Sequence, residues 1–150
     1  MPSSLTKNFY HAVFGTKHRE LFIRPELEER LYPFVGGILR DLGATAIAVN
    51  GMQEHLHFLA MYPSKLSHSE MLQHVKGRSS KWIHETFPDL QRFGWQVGYG
   101  GFTVSRSMTD VVEQYIRHQK EHHKTMTFKE EFLRLLRRHG IEFDDEDVFE

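Results

Sequence analysis

The stretch ATAIAVNGMQEHLHFLAMY, residues 44–62, decides the fold. Its halves, 44–50 and 55–62, are apolar and β-prone, and a short turn around Gly51 separates them, which predicts a hairpin. In the second half His55 and His57 sit at i and i+2, so a strand projects both imidazoles from one face. Leu56, Phe58 and Ala60 then project from the other face.

The flanking sequence supplies the remaining elements. Residues 8–15 are aromatic and β-prone, a predicted strand. Pro25 opens a helical pattern with Leu27, Leu31, Phe34, Val35, Ile38, Leu39 and Leu42 at 3–4 spacing, and Gly43 follows it. Pro33 inside that pattern predicts a kink or a break. Ser67 or Ser69 caps a helix running to about Thr86, and Pro88 ends it. Residues 97–104 read as a Gly-rich strand, and Ser107 or Thr109 caps a helix over about 110–123. Thr127 and Glu130 form a capping box for a last helix that ends at Gly140.

The order is β-α-β-β-α-β followed by two helices. It predicts an α+β fold of the ferredoxin-like kind, an antiparallel sheet with helices on one face plus two added helices. The first and third strands are central in that topology, so His55 and His57 lie mid-sheet, facing away from the covering helices. Residues 1–140 read as one domain and 141–150 as an acidic tail.

An apolar share of 39%, an aromatic share of 13% and twelve Phe suit a folded chain rather than a disordered one. Without cysteine, disulfide scaffolds and zinc–thiolate sites are excluded. No apolar run approaches the roughly 18 residues that span a bilayer, and no signal-peptide pattern opens the chain, so a soluble cytoplasmic protein is expected. The net charge of −1 hides a division: the tail holds Glu142, Asp144, Asp145, Glu146, Asp147 and Glu150 without a base. That leaves residues 1–140 with 19 basic against 14 acidic groups, a mildly basic body that permits phosphate binding.

Tyr115 and Gln119 sit at i and i+4, on one face of a helix. Singly, each signal has a structural alternative: the histidines as a satisfied pair, Tyr115 as a core aromatic in a stripe with Val112 and Ile116. Together they offer two nitrogen ligands, an amide oxygen and a phenol, the equipment for metal-assisted phosphoryl transfer through a covalent tyrosine. Lys76, Arg78 and Lys81 on one helix, and Arg117, Lys120 and Lys124 around the tyrosine, are candidate DNA-backbone contacts. Arg134, Arg137 and Arg138 form a third basic patch or the wet side of the last helix.

Over nearly its whole length the chain resembles the small single-tyrosine HUH transposases, which include insertion-sequence and REP-associated tyrosine transposases. The resemblance rests on Tyr10 to Arg19, Gly51 to His57, Lys76 to Trp82, Trp95 to Ser105, Tyr115 to Gln119, His122-His123 and Phe128 to Gly140. It implies binding of single-stranded DNA, often as a palindromic hairpin, and a homodimer. It also implies that His55, His57 and Gln119 hold Mg²⁺ or Mn²⁺ and that Tyr115 attacks the scissile phosphate, giving a 5′-phosphotyrosine and a free 3′-OH. Glu54 stands where Asp is expected before the first histidine, and His118 where Asn is frequent before the glutamine. The rival readings are a non-catalytic or domesticated hairpin-binding module and a metal nuclease that uses water.

Overall fold

The computed structural model describes residues 5–150; the first four residues of the expected 1–140 domain lie outside them. Four strands, β1 (Asn8–Gly15), β2 (Thr45–Met52), β3 (His55–Tyr62) and β4 (Gly100–Val104), form one antiparallel sheet in the order β2-β3-β1-β4. The βαββαβ connectivity and the central places of β1 and β3 are as the sequence predicts. In β1 and β3, Val13 faces His57 and Gly15 faces His55, so alternation separates two surfaces.

On the first surface, Ala12, Phe14, Leu56, Phe58 and Ala60 pack against α1 (Pro25–Asp41) and α2 (His68–Thr86). Phe14 and Phe58 are wholly buried there; truncating either to Ala removes about 3–5 kcal/mol. Pro33 neither kinks α1 into two nor ends it: the helix is continuous from Pro25 to Asp41. The Ser67 and Thr127 capping boxes both form.

The second surface is covered too, by the late helices. Ile116, with Val112 and Tyr115 at its side, seats α3 (Thr109–Arg117) on Ala48 and Leu59. Phe128, Phe132, Leu135 and Leu136 seat α5 (Phe128–Arg138) on Val13 and Phe102, and Phe143, Val148 and Phe149 of the tail pack against this cluster. Helices therefore sandwich the sheet, and the histidine face of β3 is roofed by α3 and α5.

Two elements differ from their predicted lengths. The strand expected from residue 97 starts at Gly100, because the Lys76 ammonium takes the Val97 and Gly98 carbonyls at 2.9 Å each. The helix expected over 110–123 breaks at His118 into α3 and a short α4 (Gln119–His122), with neither expected cap side chain bonded as a cap. The cause is tertiary: Asn50 of β2 donates its amide to the carbonyls of Ile116 at 3.0 Å and Arg117 at 3.2 Å. Those oxygens would otherwise carry the helix onward.

Candidate active site

Where β3, the α3–α4 break and α5 meet, polar side chains gather in an otherwise apolar interior. His55, His57, Gln119 and Glu131 are all buried, and the hydroxyl of half-buried Tyr115 reaches the same point. Glu131 is the hub. Its Oε1 lies 3.2 Å from His55 Nε2, 3.0 Å from His57 Nε2 and 3.0 Å from His123 Nε2. Its Oε2 accepts hydrogen bonds from the Tyr115 hydroxyl and from Gln119 Nε2, the latter at 2.8 Å. Gln119 Oε1 in turn faces His55 Nε2 and His123 Nε2, each at 3.1 Å.

A second layer orients the rings. His55 donates from Nδ1 to Glu54 Oε1 at 2.6 Å and stacks on Phe128 with ring centroids 4.0 Å apart. Gly15 makes that stack possible, since a methyl group there would meet Phe128 Cε2 at 2.8 Å. His57 Nδ1 lies 2.8 Å from His11 Nε2. His123 donates from Nδ1 to the Met126 carbonyl at 2.8 Å. The Glu54 that replaces the expected Asp thus keeps a carboxylate on the first histidine.

Burial works against charge on Glu131, but the imidazoles of His57, His123 and His55 outweigh it and hold the carboxyl well below the usual range. Burial pushes His57 and His11 down, so both are neutral near pH 7. Burial, and then the Glu131 carboxylate, push the Tyr115 phenol up. In this state the phenol is a held proton donor, not a phenolate.

A groove of about 370 Å³, lined in part by His11, Phe102, Val104, Met108 and Arg138, opens onto Tyr115 from solvent. Of the six basic residues expected on DNA, four are already engaged. Lys76 grips carbonyls, Arg78 pairs with Asp41 at 2.6 Å, Arg117 with Glu113 at 2.7 Å and Lys120 with Glu28 at 3.2 Å. Lys81 and Lys124 show no ion pair among the described residues. A cavity along α5 is lined by Lys129, Arg134, Arg137 and Arg138, the patch left open in the sequence reading.

The structure thus brings His55, His57, Tyr115 and Gln119 together, within one chain. The sequence reading missed Glu131 and His123. Glu131 carried a signal: it falls three residues after Phe128 and four before Leu135, a carboxylate inside the apolar stripe of its helix. His123 carried none beyond its place in a histidine pair.

Comparison with known proteins bears on the same residues. The family described as "Transposase IS200 like" matches residues 4–119. The transposase for insertion sequence element IS200 of Salmonella typhimurium is 33% identical over 124 residues, covering 77% of this chain and 78% of that protein. The ISDra2 transposase TnpA of Deinococcus radiodurans is 24% identical over 119 residues, 75% of this chain and 85% of its own. Two solved structures share the fold. A putative transposase from Deinococcus radiodurans has a TM-score of 0.66 at 23% identity, over 79% of this chain and 95% of that one. A REP-associated tyrosine transposase bound to a REP hairpin has a TM-score of 0.54 at 14% identity, over 79% and 68%. By the family match and by its likeness to the Salmonella protein, the chain belongs to the IS200-like transposases.

Proposed function

We propose that this protein cleaves and rejoins single-stranded DNA, presented as palindromic hairpin ends, with Tyr115 as nucleophile and His55, His57 and Gln119 holding a divalent cation, Mg²⁺ or Mn²⁺. The observation that carries this is the convergence, inside one chain, of the Tyr115 hydroxyl and both imidazoles on the Glu131 carboxylate. Family membership supports the reaction class, and the hairpin carried by the REP-associated relative supports the form of the DNA.

The donor set fits a cation. His55, His57 and Glu131 each offer one ligand atom, all within 4.8 Å of one another and buried. When bound, a divalent cation there withdraws charge from the phosphate oxygens and eases attack at phosphorus. The remaining steps belong to the chain. The groove admits a strand to Tyr115, with Arg138 on its wall and Lys129, Arg134 and Arg137 of α5 lining the neighbouring cavity. The Tyr115 hydroxyl donates to Glu131 Oε2, which holds the phenol oxygen in place at the head of the groove. The Tyr115 oxygen gives up its proton and bonds to phosphorus as the P–O3′ bond breaks, and the leaving 3′ oxygen takes up one proton to become a free 3′-OH, so the exchange is proton-neutral. The 5′ side stays on the protein, and the reverse attack by another strand's 3′-OH rejoins the DNA without an external energy source. Two chains acting as a homodimer would supply one tyrosine for each of two ends, at chromosomal DNA in the cytoplasm. Among the described residues no helix is long and apolar enough to cross a membrane.

The test is denaturing electrophoresis of end-labelled single-stranded DNA after incubation with the protein and Mn²⁺. A covalent protein–DNA band that vanishes with Tyr115→Phe is expected. Nicked DNA without an adduct would assign the reaction to water, and binding without cleavage would reduce the protein to a hairpin-binding module.

A further inference from the structure

α5 turns Phe128, Glu131, Phe132, Leu135 and Leu136 inward and leaves Lys129, Arg134, Arg137 and Arg138 exposed. None of these four makes an ion pair among the described residues, whereas Arg78, Arg117 and Lys120 are all paired. Counter-charge is close at hand: Glu130 borders the same cavity, and Glu142, Asp144, Asp145, Glu146, Asp147 and Glu150 follow in the tail. Glu130 is committed to the Thr127 capping box. The tail docks through Phe143, Val148 and Phe149, and Arg137 meets it over the Phe143 ring, 5.7 Å from the centroid. Helix electrostatics explain only part of the set. Arg137 and Arg138 in the last turn suit the negative end of the helix dipole, but Lys129 stands in the first turn, where a cation is disfavoured. Four like charges around a cavity of about 410 Å³ thus stay apart from the chain's own acids.

We propose that the outer face of α5 is the docking surface for the paired stem of the DNA hairpin, gripping its phosphate backbone, while the groove beside Tyr115 takes the unpaired strand. The inference rests on the proposed function and divides its DNA between two surfaces. Composition separates them. Single strands are held by cations together with aromatic rings on which bare bases stack. The outer face of α5 offers no such ring, since Phe128 and Phe132 are buried and Arg137 covers Phe143. A paired stem hides its bases and presents phosphates, which are what four cations recognise. The groove is the opposite, walled by Phe102, Met108, Val111 and Tyr115. Length fits as well. Lys129 to Arg138 covers about 14 Å of helix at about 1.5 Å per residue, and one strand of a duplex presents about four phosphates over that distance. Arg138 lines both the groove and the α5 cavity, so it stands where stem and single strand part. All four cations lie beyond residues 4–119, the span that matches the family.

The experiment is fluorescence anisotropy of the full chain with two labelled probes of equal length, over about 50 to 200 mM salt. One probe is a hairpin with a fully paired stem and a thymine loop, the other an oligothymidine. For Arg134→Gln combined with Arg137→Gln, the salt slope of hairpin binding is expected to fall by about 0.9 per lost phosphate contact, about 1.8 in all, or about 60-fold in affinity at about 0.1 M salt. Oligothymidine binding is expected to keep the parent's slope and affinity. Arg134→Lys with Arg137→Lys is expected to retain the hairpin slope, because lysine still supplies a point charge to phosphate. Lys65→Gln with Arg92→Gln, an equal loss of charge away from α5, is expected to change neither probe. Equal losses on both probes would make α5 part of the single-strand path. Unchanged hairpin binding, or the same loss from the Lys65 and Arg92 pair, would make it a solvated face. Each of these overturns the stem site, and a Tyr115 adduct would still leave the proposed function standing. The expected hairpin loss without any adduct from the parent would keep the docking surface and remove the reaction. Binding of neither probe by the parent would overturn both.

Discussion

Asn50→Ala separates the positioning of the nucleophile from the stability of the fold. The Asn50 amide is the only side chain among the described residues that bonds the carbonyls of Ile116 and Arg117, where α3 stops. Removing it deletes two neutral hydrogen bonds. At about 0.5–1.5 kcal/mol each, and toward the low end because the group is half-exposed, the loss is about 1–2 kcal/mol. For a chain of this size that corresponds to a melting point lower by about 2–8 °C. The rate should respond more steeply. With its C-terminal carbonyls released, α3 is free to run on into α4 and swing Tyr115 away from Glu131, and a displacement of about 1 Å typically costs about 10²-fold in rate. The assay is single-turnover formation of the covalent protein–DNA adduct at 25 °C with saturating Mn²⁺, beside a thermal melt. A variant that melts lower yet forms adduct at the parent rate would refute the claim that β2 positions the nucleophile through this contact.

Gly51→Ala should disrupt the end of β2 where it pairs with the start of β3, since a methyl group there would overlap the His55 carbonyl oxygen; a loss of about 1–3 kcal/mol in chemical denaturation is expected. Acid should weaken the metal-free fold partly through His68, which burial holds down to about 4 and whose Nε2 has no partner among the described residues. With the folded value below the unfolded one near 6.5, its contribution is complete above pH 6.5 and is lost as the pH falls through 4. His68→Phe should therefore flatten the dependence of the urea midpoint on pH between those limits, and an unchanged slope would discard the assignment.

Most of the scaffold was legible because local chemistry and tertiary structure agree on it. β1 spans the predicted 8–15, both capping boxes form, and the central place of β3 follows from element order alone. The discrepancies arise where a distant side chain competes for backbone groups. Lys76 takes the carbonyls that would have begun β4 earlier, and Asn50 takes those that would have continued α3. Neither contact leaves a trace in the periodicity of the segment it shortens. The site divided the same way. Spacing alone aligned His55 with His57 and Tyr115 with Gln119, whereas Glu131, one of two adjacent glutamates in the first turn of α5, looked like an ordinary helix-start charge. Only its register with Phe128 and Leu135 distinguished it. Lys76, Arg78, Arg117 and Lys120 show the converse, since basic residues that suggest a DNA surface can be committed to partners within the chain.

The two histidines and the tyrosine are anchored in unequal ways. His55 and His57 ride on a strand paired along both edges, and moving them means breaking the centre of the sheet. Tyr115 rides on nine residues of helix seated by Ile116 and tied at one end by Asn50. Lifting α3 away uncovers the small Ala48–Leu59–Ile116 cluster but breaks no strand pairing, so local opening there costs less than global unfolding. The stiff half of the site is the half proposed to grip the cation, and the half proposed to react is hinged. Under the proposed reaction, a tyrosine joined to a DNA end would thus be carried outward by a small excursion of one helix while the rest of the molecule stays folded.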